Sequence, residues 1–134
     1  MLLKHGYNGF SVRGQRLFVR PIESGDGDAI RAFFASNGAS EDTPACGLLA
    51  KLVGDLVGVM SMEIADDGLH VENIVVAREL RRKRIGRFLL DEAARLAAKI
   101  DRDRLVVTDA RGAEEFLRRT GFAVEDGVFV RRVR

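Results

Sequence analysis

The sequence has 134 residues, of which 46% are hydrophobic and 31% charged. This length supports one domain with a buried core, residues 1–134, whereas two domains of half the size would each be marginal. With 22 basic and 20 acidic side chains the net charge is only +2, so any basicity is local. No apolar run approaches the ~18 residues of a membrane span. The first residues also lack the layout of a signal peptide, and we expect a cytoplasmic protein that binds no membrane.

The elements of the N-terminal third are short. Residues 1–14 contain three glycines among scattered polar residues and are expected to form an irregular arm. Residues 15–21 alternate as a strand that Pro21 ends, and a short helix opened by Asp26 and Asp28 closes at Asn37. The single cysteine, Cys46, cannot form an internal disulfide and is expected to be a small core residue.

The remainder predicts an antiparallel meander followed by alternating helices and strands. The predicted elements are strands at 48–53, 56–64 and 69–76, a helix at 85–100, a strand at 105–108, a helix at 112–119 and a hairpin over 122–134. This order indicates an α+β fold with a mixed, mostly antiparallel sheet and one parallel strand-helix-strand crossover.

The most informative segment lies between the third meander strand and the long helix. Six of the ten residues from 78 to 87 are basic: Arg78, Arg81, Arg82, Lys83, Arg84 and Arg87. A loop that enters a helix presents backbone N–H groups without intrahelical partners, and the helix dipole adds partial positive charge there. An anion such as a pyrophosphate is favoured at that point, so the segment predicts a site for a phosphorylated ligand.

Two joints in this order resemble the GNAT superfamily of acyl-CoA-dependent N-acetyltransferases. The first is the strand, loop and helix of residues 74–90, with Arg81-Arg82-Lys83-Arg84-Ile85-Gly86 in place of the Arg/Gln-x-x-Gly-x-Gly/Ala motif. The second is the helix of residues 113–122 that ends in Gly-Phe. Thr108 and Phe116 stand at positions where the sequence resembles short acetylglutamate-synthase-like members of the family. The resemblance covers about residues 17–130 and implies a single GNAT-like domain that uses acetyl-CoA.

The resemblance also implies cofactor-binding positions. It assigns the pyrophosphate of coenzyme A to the backbone of the loop and of the helix start. It also includes Arg81, which precedes this loop, among the cofactor-binding residues. It assigns the pantetheine amides, and an N–H that polarises the thioester carbonyl, to the strand near Ile74 and Val76. The loop residues are Arg82, Lys83, Arg84, Ile85, Gly86 and Arg87.

His70 and Glu72 are the candidates for the catalytic base. An alkyl amine has a pKa of about 10 and must lose a proton before it attacks a thioester. In a regular strand both residues share the face of Ile74 and Val76, and family members commonly keep a Glu or His base there. The alternative is that both are solvated strand residues. The two histidines and one cysteine lie too far apart in sequence to indicate a metal site.

This chain departs from the family pattern at two positions. Arg84 stands where the motif has its first glycine, so either the backbone there needs no positive φ or the loop bends differently; its side chain could also contact phosphate. Leu117 stands where the family often has a tyrosine that protonates the departing thiolate, and Tyr7 is the only tyrosine.

The leading hypothesis is therefore transfer of an acetyl group from acetyl-CoA to a primary amine of a small molecule or amino acid, by direct attack in a ternary complex. The short stretch between Asn37 and Cys46 leaves the acceptor pocket either open or completed by a second subunit, as in a homodimer. A second hypothesis is an acyl-CoA-binding regulatory module without turnover. Nucleic-acid binding is not favoured, since no aromatic residues interleave with the basic run.

Overall fold

The computed structural model describes residues 10–40 and 42–133, which form one mixed sheet with three helices. The strands are β1 (Ser11–Val12), β2 (Gln15–Pro21), β3 (Gly47–Leu52), β4 (Asp55–Ala65), β5 (Gly68–Val76), β6 (Arg104–Val107), β7 (Ala123–Glu125) and β8 (Val128–Arg132). The helices are α1 (Gly27–Ser36), α2 (Ile85–Lys99) and α3 (Glu114–Arg119), with 3₁₀ turns at Ser24–Asp26 and Arg78–Leu80.

The strand order is β1-β2-β3-β4-β5-β6-β8-β7. Of these neighbours only β5 and β6 run parallel, and α2 makes the crossover between them. The predicted α+β fold with its mixed sheet is thereby confirmed. The predicted elements differ from the observed ones by one or two residues at their ends, and α3 starts at Glu114 where the sequence predicted 112.

The core lies around β4 and one face of α2. Val57 through Met62 are all buried, so both faces of this central strand are covered. The helix face that packs inward consists of apolar residues at helical spacing, namely Ile85, Leu89, Leu90, Ala93 and Ala97. A Cβ at Gly58 would lie 3.3 Å from side-chain atoms of both Ile85 and Leu89, so the missing side chain lets the start of α2 approach β4 closely.

Two expectations about the N-terminal third are wrong. Residues 11–16 form a hairpin that turns at Arg13 and Gly14, both with positive φ, and Val12 is buried. The pattern was missed because the turn has arginine where Asn or Asp is usual. Residues 1–9, including Tyr7, lie outside the described residues. Cys46, expected in the core, is exposed.

The hairpin is anchored to the loop and helix that follow β5. The ring of Phe10 stacks on that of Phe88 in α2 with centroids 4.6 Å apart. Arg13 donates a hydrogen bond to the backbone carbonyl of Glu79 at 3.1 Å. Within the described ranges, no helix is both long and apolar enough to cross a bilayer.

Candidate functional site

A groove with a volume of about 1210 Å³ opens where β5 and β6 separate. The two strands pair only at Leu69 with Leu105 and at His70 with Val106. Beyond that point the groove runs between the second half of β5, the end of β6, the start of α2 and α3. The second half of β5 therefore keeps one backbone edge open to a ligand.

Two features coincide with this separation: β6 ends at Val107, and β5 has a β-bulge at Glu72. In the β4–β5 ladder Ser61 pairs with Asn73 and Met62 with Val71, which leaves Glu72 as an extra residue on β5. A bulge bends the strand that carries it and increases its local twist. β5 consequently bends soon after His70, where its pairing with β6 ends.

The bulge also changes which side chains share a face. Cross-strand partners point to the same face, and Ile74 pairs with Met60 whereas His70 pairs with Glu63. Met60 and Glu63 are three residues apart on β4, so they point to opposite faces. The expectation that His70 shares the face of Ile74 is therefore wrong, because the extra residue shifts the alternation by one.

The structure separates the two candidate bases. His70 does not line the groove; its Nε2 lies 2.8 Å from Asp67 Oδ1, and that hydrogen bond lowers the pKa of the Asp67 carboxyl. Glu72 lines the groove and is exposed. No side chain or backbone group among residues 10–40 and 42–133 pairs with its carboxylate. Glu72 is thus the candidate that can reach a ligand.

The loop between β5 and α2 has the geometry of an anion-binding site. Arg82 and Arg84 both adopt the left-handed conformation, with φ of 67° and 68°. The first helical bond is donated by Phe88 N–H to the carbonyl of Arg84, at 2.9 Å. Six consecutive N–H groups before it have no acceptor in the part of the chain that the structure describes, those of Arg82, Lys83, Arg84, Ile85, Gly86 and Arg87. Such a row of donors at a helix start is suited to phosphate.

The backbone of Arg84 adopts the positive φ that the motif's glycine would supply, so the alternative that this position needs no positive φ is wrong. Its side chain is exposed and lines the groove, as do Arg81, Arg82 and Arg87. Lys83 does not line the groove, although its N–H belongs to the row.

Along the free edge of β5, every second residue directs its backbone N–H and C=O groups towards the groove. Ala77 donates its N–H to the Val57 carbonyl of β4 at 2.9 Å. In an antiparallel strand, residues that bond to one neighbour alternate with residues that direct their peptide groups to the other side. Ile74 and Val76 therefore present N–H and C=O groups to the gap, and Arg81 Nε donates to Val76 O from that side at 3.3 Å.

α3 supplies the opposite wall. A Cβ at Gly86 would lie 3.4 Å from Phe116 Cζ and 4.0 Å from Ile74 Cγ2, so this glycine leaves room for the two apolar walls to meet. Leu117 is 3% exposed, lines the groove and carries no ionisable proton. The nearby Thr120 hydroxyl donates to backbone carbonyls of α3, those of Phe116 and Leu117.

Sequence reasoning missed two features of this site. Asn37 ties α1 to the turn after β5, since its Oδ1 accepts a hydrogen bond from Arg78 N–H and its Nδ2 donates to Phe33 O, both at 2.9 Å. The Asn-Gly end of α1 was visible in the sequence, but its partner was not. Arg111 also lines the groove; its guanidinium donates to Asp109 and lowers the pKa of that carboxyl.

A meander, a parallel crossover through a helix and a row of free N–H groups beside an open strand edge are the architecture of an acetyltransferase of the GNAT type. Residues 15–122 match the family model described as the acetyltransferase (GNAT) family. The chain belongs to that family, and the resemblance drawn from the sequence is confirmed. No curated protein matches the sequence significantly.

Solved structures with the same fold are numerous and distant in sequence. A GNAT-family acetyltransferase from Staphylococcus aureus is 13% identical with a TM-score of 0.72 over 88% of this chain and 99% of that one. The Escherichia coli protein YhbS, solved with CoA, is 15% identical with a TM-score of 0.70 over 94% and 86%. N-acetylglutamate synthase from Neisseria gonorrhoeae, solved with coenzyme A and N-acetyl-glutamate, is 20% identical with a TM-score of 0.70 over 88% and 35%.

Proposed function

We propose that this protein binds acetyl-CoA and transfers its acetyl group to the primary amine of a small molecule by direct attack in a ternary complex. The observation that carries the proposal is the row of free N–H groups from Arg82 to Arg87 at the start of α2, beside the open edge of β5. Several solved relatives of this fold are complexes with coenzyme A, which agrees with that use of the groove.

The groove supports a specific placement of acetyl-CoA. Its pyrophosphate accepts hydrogen bonds from the N–H row, and the guanidinium groups of Arg81, Arg82, Arg84 and Arg87 add positive charge around it. The pantetheine amides pair with the free edge of β5 as an added strand would. The thioester carbonyl then lies near Ile74 and Val76, where a backbone N–H polarises it.

Glu72 is the proposed base. The acceptor arrives as an ammonium ion and gives one proton to Glu72 through water. The neutral amine nitrogen bonds to the acetyl carbon, the C–S bond breaks, and the sulfur leaves as a thiolate. The amine's second proton passes to that thiolate or to solvent, so the products are the acetamide and coenzyme A.

Because Leu117 stands at the position where the family often has a tyrosine, this reaction lacks the usual general acid for the departing thiolate. With no hydroxyl at that position, the thiolate takes its proton from water or from the attacking amine. Thiols have pKa values near 8.5, so a thiolate is a tolerable leaving group without a dedicated acid. We therefore expect turnover in which water or the attacking amine, and not a side chain at position 117, supplies this proton.

Turnover is tested by following free thiol after mixing the protein, acetyl-CoA and a panel of amines. Amine-dependent thiol release together with the matching acetamide by mass spectrometry supports the proposal. Thiol release no faster than acetyl-CoA hydrolysis with every amine rejects it.

Leu117 favours one other function, that of an acyl-CoA-binding regulatory module. It shares the placement of acetyl-CoA and lacks the acceptor reaction. Coenzyme A at a hundredfold excess over its dissociation constant would then stabilise the fold by about 2.7 kcal/mol. That stabilisation combined with no transfer to any amine would select the module over the enzyme.

A further inference from the structure

A second cavity adjoins the groove at the bulge of β5. It has a volume of about 360 Å³ and lies between the segment before β3, the second half of β4 and β5. Glu72 lines both cavities, so the two meet at the proposed base. An acceptor whose amine stands at Glu72 therefore has this cavity available for the rest of its structure.

Charge is distributed unequally between the two cavities. The cations that line the groove are arginines of the N–H loop, the start of α2 and the segment from Arg111 to α3. The second cavity is lined by Pro44, Ala45, Cys46, Met62, Glu63, Ile64 and Glu72. It contains two carboxylates and, among the described residues, no cation. Of the described residues that line it, none has a cationic side chain that would pair with a carboxylate group on an acceptor.

Glu63 is the carboxylate that is available to pair with a second positive charge on the acceptor. It lines the second cavity and not the groove, whereas Glu72 lies at the junction beside the reacting amine. No group in residues 10–40 or 42–133 forms an ion pair or a hydrogen bond with the Glu63 side chain. A carboxylate in that setting favours an ammonium group and opposes a second anion.

From this arrangement we infer that the acceptor is an amine with a second positive charge, in its simplest form an alkyl diamine, and that Glu63 binds the distal ammonium. The inference rests on the proposed function, because it uses the groove as the acetyl-CoA site. It narrows the class of acceptor from primary amines in general to diamines, and it predicts that amino acids are poorer acceptors than diamines.

Three acceptors of matched length test the inference: 1,4-diaminobutane, butylamine and 4-aminobutanoate. They end in an ammonium, a methyl and a carboxylate group. Dissociation constants are measured on the protein saturated with coenzyme A, and kcat/KM is measured with acetyl-CoA. We expect diaminobutane to bind best and 4-aminobutanoate worst, with a preference that weakens as ionic strength rises.

Variants locate the source of the preference. Glu63→Gln is expected to lower the diaminobutane-to-butylamine affinity ratio about fivefold, the upper range for an exposed ion pair. Glu63→Lys should shift the preference towards 4-aminobutanoate. Asp126→Asn removes the same charge in the β7–β8 turn, outside both cavities, and should leave the ratio unchanged.

Equal affinity for the three compounds, or the same ratio in Glu63→Gln as in the unmodified protein, would overturn the inference. An equal effect of Asp126→Asn would also overturn it, since the preference would then come from the overall surface field. The binding measurements decide the inference whether or not the acetyl group moves. Failure of the proposed function shows instead as absence of amine-dependent thiol release.

Discussion

Arg84 provides the sharpest test of the proposed pyrophosphate site, because its backbone and its side chain make separable contributions. The residue holds a left-handed conformation with φ of 68° directly before α2. That conformation costs a non-glycine residue roughly 1–2 kcal/mol. Its N–H group belongs to the free row, while its guanidinium lies at the exposed rim of the groove.

Arg84→Ala and Arg84→Gly remove the same charge and differ only in backbone preference. Glycine, unlike alanine, adopts the left-handed conformation without an energetic penalty. Its more flexible unfolded chain, however, lowers the stability by about 0.4–1 kcal/mol relative to alanine. The net expectation is that Arg84→Gly is more stable than Arg84→Ala by about 0.5 kcal/mol, within reach of urea titration with matched m-values. Both variants should bind coenzyme A at most about fivefold more weakly than the unmodified protein, as expected for an exposed charge.

Arg84→Pro completes the set. Proline fixes φ near −65° and has no N–H, so it removes both the conformation and one donor of the row. Calorimetric titration with coenzyme A should show no measurable binding by this variant, with a far-UV CD spectrum like that of Arg84→Ala as the control for folding. Binding by Arg84→Pro, or a loss in Arg84→Gly as large as that in Arg84→Pro, would refute the backbone cradle.

Three further predictions concern the base, the leaving group and pH. Glu72→Gln should lower kcat about a hundredfold, as for loss of a general base, while His70→Asn, at a residue that lines neither the groove nor the second cavity, leaves kcat at the unmodified value. Leu117→Tyr should show a higher kcat than Leu117→Phe, which matches its size without the hydroxyl, if protonation of the thiolate limits turnover. The Arg20 guanidinium, and then the Glu23 N–H, hold the pKa of Asp26 below its ordinary range. A carboxyl group whose pKa is depressed in the folded state contributes stability at pH values above its unfolded pKa of about 3.9, and this contribution is lost as pH falls. Asp26→Asn should therefore be less stable than the unmodified protein at pH 7 and equally stable in strong acid, as measured by urea unfolding.

The elements that sequence could predict are those whose pattern is local. The apolar spacing of α2 reflects a face that packs on β4, and the Asp126-Gly127 turn reflects a backbone requirement of two adjacent residues. The row of free N–H groups on which the proposed anion site depends is equally local, since a loop entering a helix carries such groups whatever else the chain does. Each of these features is set by fewer than about five neighbouring residues or by one helical period.

What could not be predicted depends on partners distant in the sequence. The bond between Arg78 N–H and Asn37 Oδ1 joins residues 41 positions apart, and neither residue indicates the other. The bulge at Glu72 is likewise a property of the ladder between β4 and β5. Period-two alternation assumes regular pairing, so a single extra residue was enough to misplace His70.

That extra residue connects the fold to the proposed chemistry. Without Glu72 in excess, β5 would keep its register with β4 and would lack the bend at this point. β6 ends at Val107, so the outward-facing peptide groups of Ile74 and Val76 have no strand partner there among the described residues and border the groove. The bulged residue, Glu72, is also the one whose carboxylate stands where groove and second cavity meet. Because the bulge affects both the course of β5 and the position of Glu72, the proposed acetyl-CoA edge and the proposed base are positioned together, and a change in the bulge is expected to affect both.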